Sequence, residues 1–264
     1  MRTGLTEKAK NNDASIYHLE TGEGKDYELI WLHGWGQTHA SLIGLSKLFN
    51  KFAKNHLFDL PGFGKTKMLH QGASTLDYAS WLNAKLQPKT KLRILIGHSY
   101  GGRVSIQMAA NYPDTIDGII LISGAGLKRK RGMLWKLRAG YLKFLGKLAK
   151  LGDAIFKTKL QKAYSTKFGS ADYKNAGDLR GTFVSAVKEN LIEEAKGVNV
   201  PTLLIYGEED TDTPPEIGKK YNQLIKGSQY KILKGFDHLN ILSHGANQCQ
   251  SLISLFLEQF KAHD

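Results

Sequence analysis

The sequence predicts an α/β fold in which a mostly parallel central sheet is flanked by helices. Runs such as 93–96, which is apolar after Arg93, and 119–122 do not alternate in polarity, as expected of strands that are buried on both faces. Longer segments with helical periodicity separate these runs, which is typical of a doubly wound sheet. The chain has 264 residues, of which 41% are hydrophobic and 23% charged. A chain of this size and composition can form a core without disulfides or metal ions.

The predicted strands and helices alternate along most of the chain. Strands are predicted at 28–33, 57–59, 92–97, 118–123, 202–207 and 230–233. Helices are predicted at 41–54, 75–86, 101–111, 215–225 and 246–260. Between 124 and 200 helical patterns continue without a convincing strand, so this stretch interrupts the alternation. Ligands of such sheets bind beside the carboxyl ends of the strands, and four of the loops there have unusual sequences.

The composition excludes several other classes of protein. Mean hydropathy is −0.33, and no stretch approaches the roughly 18 uncharged apolar residues that span a bilayer. Cys249 is the only cysteine, so neither an intramolecular disulfide nor a cysteine-built zinc or iron–sulfur site is expected. Residues 1–20 lack the apolar core of a signal peptide, which predicts a cytoplasmic location.

Most of the excess positive charge lies in one segment. Lysine and arginine total 37 and aspartate and glutamate total 24, which gives a net charge of +13. Residues 128–167, here called the basic segment, contain 13 of the bases and a single acid, Asp153. The basic segment therefore carries +12 and the rest of the chain +1.

Ser99 lies where a sharp turn from a strand into a helix is predicted. It is the centre of Gly97-His98-Ser99-Tyr100-Gly101. Such a turn forces the serine into a strained backbone conformation and requires small residues on either side. It lifts the hydroxyl above the sheet, and the helix N-terminus adds partial positive charge where an oxyanion would form. Ser99 is therefore predicted to be a nucleophile.

A nucleophilic serine needs a base, and the base needs a group that orients it. On this type of scaffold an acid and then a histidine follow the serine along the chain. Asp210 follows a late strand and His238 follows the last one, so these two residues are predicted to complete a Ser-His-Asp triad. Asp212 and Asp237 are the alternative acids. Asp210 is favoured over Asp212 because Asp210 directly follows the strand. It is favoured over Asp237 because Asp237 and His238 are neighbours in a tight loop, where adjacent side chains point apart.

The other histidines are not expected to be catalytic. His33 and His98 flank glycines beside the predicted site, and a structural hydrogen-bonding role is expected for both. The rest fall in polar or terminal segments and are expected to face solvent, namely His18, His39, His56, His70, His244 and His263. Cys249, in the last predicted helix, is expected to be a buried small apolar residue.

Four motifs together resemble the α/β-hydrolase superfamily over about residues 28–260. They are His33-Gly34-Trp35-Gly36, Asp59-Leu60-Pro61-Gly62-Phe63-Gly64, Gly97-His98-Ser99-Tyr100-Gly101-Gly102, and Asp210 with His238. The resemblance implies that the backbone amides of Trp35 and Tyr100 form the oxyanion hole. A serine at position 99 argues against haloalkane dehalogenases and epoxide hydrolases, whose nucleophile is aspartate. No metal or cofactor is expected, because the triad generates its own nucleophile.

Within the superfamily, the motifs are similar to those of small carboxylesterases, which include the pimeloyl-acyl-carrier-protein methyl ester esterases. They are also similar to those of hydrolases that cleave carbon–carbon bonds of vinylogous ketones. The resemblance implies an α/β-hydrolase core, 1–126 and 200–264, with an inserted helical cap, 127–199. The expected function is hydrolysis of a small or acyl ester through an acyl-enzyme. The alternatives are a carbon–carbon hydrolase, lyase or thioesterase on the same scaffold, and a binding protein that acts through the basic segment.

The basic segment is predicted to contain an amphipathic helix. Its apolar face comprises Leu134, Leu137, Tyr141, Phe144, Leu145, Leu148, Leu151 and Ile155. Its opposite face comprises Lys136, Lys143, Lys147 and Lys150. Three interpretations of the lysines remain open. They are the solvated side of a cap helix that packs over the sheet or pocket, or a docking patch for an acidic carrier protein or anionic substrate. In the third interpretation they contact an anionic membrane surface. Nucleic acid is not an expected partner, because no recognition motif accompanies the charge.

Overall fold

A seven-stranded sheet forms the centre of the described part of the chain. The computed structural model describes residues 16–129 and 171–261 and, between these ranges, helical residues 141, 145, 147, 148, 150–153 and 155. The strands are β1 (His18–Thr21), β2 (Tyr27–Leu32), β3 (Ala53–Phe58), β4 (Leu92–His98), β5 (Gly118–Ile122), β6 (Thr202–Gly207) and β7 (Gln229–Leu233). Their spatial order is β1-β3-β2-β4-β5-β6-β7. Only the β1–β3 pair is antiparallel, so the predicted mostly parallel sheet is confirmed.

The helices lie close to their predicted positions, with one exception. In chain order they are α1 (Ile43–Ser46), α2 (Thr75–Lys85), α3 (Tyr100–Asn111), α4 (Ala171–Asn175), α5 (Arg180–Lys188), α6 (Ile192–Lys196), α7 (Pro215–Leu224) and α8 (Ala246–Glu258). A capping box starts α2: Ser74 Oγ accepts from the Asp77 N–H, and the Asp77 carboxylate accepts from the Ser74 N–H.

The exception is the predicted helix 41–54, which is wrong in its second half. The chain forms 3-10 turns at His39–Leu42 and Lys47–Phe49 around the short helix α1. Strand β3 then begins at Ala53, because Ala53 must lie opposite Tyr27 for β3 to pair with the whole of β2. Strand β1 was not predicted at all. It is four residues long, and its sequence His-Leu-Glu-Thr has too few apolar residues to give a pattern.

Helices cover both faces of the sheet, which explains the continuous apolar runs of its central strands. In β2, Ile30 and Leu32 face a core that includes Val104 of α3. Leu29 and Trp31 face the opposite core, which includes Phe256 of α8. Successive side chains of a strand point to opposite faces, so each strand contributes apolar residues to both cores.

The stretch between β5 and β6 contains helices and no strand among its described residues. Its last part is anchored to the sheet: Leu191 N donates to Gly126 O at 3.0 Å, and Ala195 of α6 is buried in the core on the α3 side. The division into a core and a cap at 127–199 stays a prediction. No helix among the described residues is long and apolar enough to cross a membrane.

Candidate active site

Ser99 lies in the sharp turn between β4 and α3, with a strained backbone. Its φ of 50° and ψ of −107° lie outside the regions that an L-residue favours. A Cβ on Gly97 would come within 2.5 Å of backbone atoms of Gly101, and one on Gly101 would come within 2.2 Å of Leu32 O. Both neighbours must therefore be glycine for α3 to pack this close to the strands, as the sequence motif predicts.

The structure brings Ser99, His238 and Asp210 into one line of contacts. His238 Nε2 is 2.9 Å from Ser99 Oγ, and His238 Nδ1 is 2.7 Å from Asp210 Oδ2. The three residues come from loops after β4, β6 and β7, whose carboxyl ends lie at the same edge of the parallel sheet. A carboxylate can only accept a hydrogen bond, so the proton of the neutral imidazole lies on Nδ1. Nε2 is then free to accept from the serine hydroxyl.

Asp210 is the acid that the tertiary structure places against His238. Its Oδ1 accepts from the backbone N–H groups of Asp212 and Thr213 at 2.9 and 2.8 Å. Burial acts to raise the pKa of Asp210, but the contact with His238 and the backbone donors outweighs it and lowers the pKa below the ordinary value. The carboxylate is therefore ionised at neutral pH and can stabilise a positive charge on the His238 imidazole.

The two alternative acids have different surroundings. Asp237 Oδ1 accepts from the backbone N–H groups of Leu239 and Asn240, both at 2.8 Å. It therefore fixes the loop that carries His238 and does not orient the ring. Asp212 is exposed, and its own backbone N–H donates to Asp210.

Thr213 is a residue of the site that the sequence analysis missed. Its Oγ1 is 3.0 Å from Asp210 Oδ2, 3.2 Å from His238 Nδ1 and 2.8 Å from Ser123 O. A threonine three residues after the acid gives no recognisable signal in the sequence. Its role depends on the turn that brings it back over Asp210.

His33 and His98 have the structural hydrogen-bonding roles that were predicted. His98 Nε2 donates to His238 O at 2.9 Å, and burial lowers the pKa of His98 to about 3, so its ring is neutral and holds the loop that carries His238. His33 donates from Nδ1 to Gly34 O at 2.7 Å and accepts at Nε2 from the Leu60 N–H at 3.0 Å. It therefore ties the loop after β2 to the loop after β3.

The loops that carry Trp35 and Tyr100 are joined beside Ser99. Gly101 N donates to His33 O at 3.0 Å, which fixes the start of α3 to the loop after β2. Among the described residues, the backbone N–H groups of Trp35 and Tyr100 have no hydrogen-bond acceptor. Two free N–H groups on loops that meet beside Ser99 are what an oxyanion hole requires.

Aromatic side chains surround Trp35 at this edge of the sheet. Its ring centroid lies 5.0 Å from that of Phe63, 5.3 Å from that of Tyr100 and 5.1 Å from that of Phe183. Phe183 belongs to α5, so the insertion between β5 and β6 contributes to this cluster. A cleft of ≈ 450 Å³ borders His238 and is lined by Thr211, Asp212, Asp237, Leu239, Asn240 and Ser243.

The basic segment is described only in part. Lys147 and Lys150 are exposed, whereas Lys136 and Lys143 lie outside the described residues. Four residues of the predicted apolar face, Tyr141, Leu148, Leu151 and Ile155, are between 46% and 62% exposed. Leu145, on the same predicted face, is half-buried, and the packing of this face over the sheet or the pocket stays a prediction.

The expectation that six histidines face solvent is wrong for three of them. His39 bonds Asp59 Oδ1 through both its backbone N–H and Nδ1, at 2.8 and 2.7 Å. His18 and His56 lie on neighbouring strands and are largely buried. His70 and His244 are exposed as expected, and His263 lies outside the described residues.

Comparison with known proteins places the chain in a family. A family model described as alpha/beta hydrolase fold matches residues 28–245. A pimeloyl-[acyl-carrier protein] methyl ester esterase of Salmonella newport is 27% identical over 254 residues, covering 91% of this chain and 97% of the relative.

Solved structures agree on the fold. An enol-lactonase of Burkholderia xenovorans superposes with a TM-score of 0.68 at 19% identity, over 92% of this chain and 96% of that one. A lipase-esterase related protein of Clostridium acetobutylicum superposes with a TM-score of 0.69 at 18% identity, over 92% of this chain and 100% of that one. This chain therefore belongs to the α/β-hydrolase fold family and is an enzyme of its esterase-like branch.

Proposed function

We propose that this protein is a serine esterase that cleaves a carboxylic ester through an acyl-enzyme on Ser99. The observation that carries this proposal is the unbroken series of contacts from Ser99 Oγ through His238 to Asp210, at 2.9 and 2.7 Å. A serine hydroxyl is a weak nucleophile by itself, and an adjacent, oriented imidazole is what activates it.

In the first step Ser99 Oγ attacks the ester carbonyl while His238 Nε2 takes the hydroxyl proton. The N–H groups of Trp35 and Tyr100 stabilise the negative oxygen of the tetrahedral intermediate. As the intermediate collapses, the imidazolium returns the proton to the departing alcohol, and the acyl group remains on Ser99. Water then attacks the acyl-enzyme with His238 again as base, which releases the acid and restores the serine.

The proposed substrate is the ester of an acyl chain that an acyl carrier protein delivers. The name of the Salmonella relative describes such a substrate, and two features of this chain support it. The aromatic cluster around Trp35 offers an apolar wall for an acyl chain. The basic segment supplies a concentrated positive charge that attracts an acidic carrier protein.

The test is a series of hydrolysis rates. We expect turnover of p-nitrophenyl esters from acetyl to palmitoyl with an optimum that reflects the length of the acyl site. We also expect a higher kcat/KM for a methyl ester on an acyl carrier protein than for the same ester on free pantetheine. Equal kcat/KM values for the two methyl esters would contradict the proposed carrier protein but not the proposed esterase activity. No turnover of any ester would contradict both.

A triple variant separates docking from chemistry. Changing Lys143, Lys147 and Lys150 to Gln should raise KM for the carrier-bound ester at least about threefold, since each exposed ion pair contributes about 0.2–1 kcal/mol. The kcat/KM for a p-nitrophenyl ester should not change. The matched control replaces the exposed Lys47, Lys51 and Lys226, which lie outside the basic segment, and should leave both values unchanged.

A membrane surface is the second candidate partner, because Leu148 and Leu151 are exposed beside the lysines. Vesicles that contain phosphatidylglycerol would distinguish the two. Co-sedimentation that is lost in the triple variant, together with an unchanged KM for the carrier-bound ester, would favour the membrane over the carrier protein.

A further inference from the structure

A group of three metal-binding side chains lies on β1 and β3, away from the strands whose loops form the triad. Glu20 is directly opposite His56 in the antiparallel pair, and His18 is two residues from Glu20. Residues two apart share a face of a strand, so His18, Glu20 and His56 lie on the same face at the edge of the sheet. Their potential ligand atoms all lie within 4.8 Å of one another.

Two of the three distances among these atoms are close to those around a tetrahedral zinc ion. His18 Nε2 is 3.2 Å and His56 Nδ1 is 3.6 Å from the same oxygen, Glu20 Oε1. Zinc binds nitrogen and oxygen at about 2.0–2.2 Å, so tetrahedral ligands are about 3.3–3.5 Å apart. The two histidine nitrogens lie within 4.8 Å of each other, a separation that rotation of the imidazole side chains can adjust.

The second ring nitrogen of His56 lies beside a carboxylate. This Nε2 is buried and makes no hydrogen bond within the described residues, but it is 3.2 Å from Glu28 Oε1, while Glu28 Oε2 accepts from Arg93 Nε at 2.6 Å. The negative charge of Glu28 beside Nε2 favours the tautomer with its proton there. Nδ1, on the side of Glu20, then carries the lone pair that a metal ion needs.

The cluster also has room for an exchangeable ligand. It lines a cleft of ≈ 910 Å³ whose other walls include Phe58, Lys85, Pro88 and Lys91. Lys54 Nζ lies 3.0 Å from Glu20 Oε2, on the oxygen that faces away from the histidines. Lys54 therefore leaves Oε1 accessible, although its charge opposes the approach of a cation.

We propose that His18 Nε2, Glu20 Oε1 and His56 Nδ1 form a binding site for Zn²⁺, with water from the cleft as the fourth ligand. Two histidines and a carboxylate suit zinc better than the hard cations Ca²⁺ and Mg²⁺. Because the ligands come from two strands, the ion links the short edge strand β1 to β3. This site is independent of the ester chemistry at Ser99.

The test is calorimetric titration of the untagged full-length protein with ZnCl₂. We expect one saturable site in the wild type and an affinity at least about tenfold lower in His18→Gln, as for other losses from a zinc site. Lys54→Gln should bind about two- to fivefold more tightly, because it removes a positive charge that pairs with the same carboxylate. The control His70→Gln removes an exposed histidine that also lies near a carboxylate, Asp77, and should bind like the wild type.

Thermal melting gives a second readout that does not depend on activity. Zinc should raise the Tm of the wild type and of His70→Gln but not that of His18→Gln. Circular dichroism of the metal-free variants would establish that each is folded before titration. Absence of a saturable site in the wild type, or equal affinity in folded His18→Gln, would overturn the proposal.

Discussion

Ser99→Ala is expected to lose ester hydrolysis by about a millionfold in kcat, as a serine protease with the same chemistry does when its nucleophile is removed. Ser99 Oγ is the atom that His238 Nε2 contacts at 2.9 Å, and alanine has no oxygen to form the acyl-enzyme. The fold should remain, because alanine fits wherever serine fits, and at a φ of 50° the two residues have similar backbone strain. The measurement is the rate of p-nitrophenyl ester hydrolysis, with circular dichroism as the check on folding.

The matched control for this variant is Ser46→Ala. Ser46 is a fully buried serine outside the site, and its hydroxyl donates to Ile43 O at 3.1 Å. This variant removes a buried hydroxyl without touching the triad and should keep wild-type kcat. Near-wild-type activity in folded Ser99→Ala would refute the acyl-enzyme mechanism and with it the proposed function.

Asp210→Asn is expected to lower kcat by about 10⁴-fold, the loss seen when the same exchange is made in a serine protease. Asparagine keeps the shape of the side chain and can still accept from the N–H of Thr213 at the position of Oδ1. Its amide nitrogen would then face His238 Nδ1. That contact favours the tautomer with its proton on Nε2, which cannot accept from Ser99 Oγ.

The alternative acids supply the controls for Asp210→Asn. Asp212→Asn should leave kcat within a few-fold of the wild type, because the Asp212 carboxylate makes no contact with His238 among the hydrogen bonds of the described residues. A large loss in Asp212→Asn together with a small loss in Asp210→Asn would show that Asp212 is the orienting acid.

Acid unfolding gives a second readout for Asp210. Its pKa is lowered in the folded protein because the contact with His238 outweighs burial. Ionised Asp210 therefore stabilises the fold above the ordinary aspartate pKa, and this stabilisation is lost as the pH falls through the lowered value. Asp210→Asn removes the titrating group, so its free energy of unfolding should fall less between pH 7 and acidic pH than that of the wild type.

Much of the sheet follows from the local sequence. The runs at 94–96 and 119–122 are apolar at every position, because helices bury both faces of β4 and β5. Strand β1 escaped prediction because an edge strand with one buried residue, Leu19, has no such pattern. The predicted helix 41–54 was too long because the pairing of β3 with β2, a contact between distant residues, decides where the helical turns end.

In the candidate site too, some residues could be predicted from the local sequence and others could not. Ser99 was predictable because a sharp turn needs glycine at 97 and 101, and that requirement is visible within five residues of sequence. Thr213 and His98 act through hydrogen bonds to Asp210 and His238. Whether those bonds form depends on how separate loops fold back onto one another, so the residue type alone does not reveal the role.

The sequence by itself determined the fold class and the turn at Ser99, because both depend on short-range periodicity or local backbone conformation. Only the tertiary structure decided which of three aspartates contacts His238, and it left Leu148 and Leu151 exposed. It also brought His18, Glu20 and His56 together from two strands. Such contacts join residues far apart in the chain, and the packing of the whole sheet sets their distances.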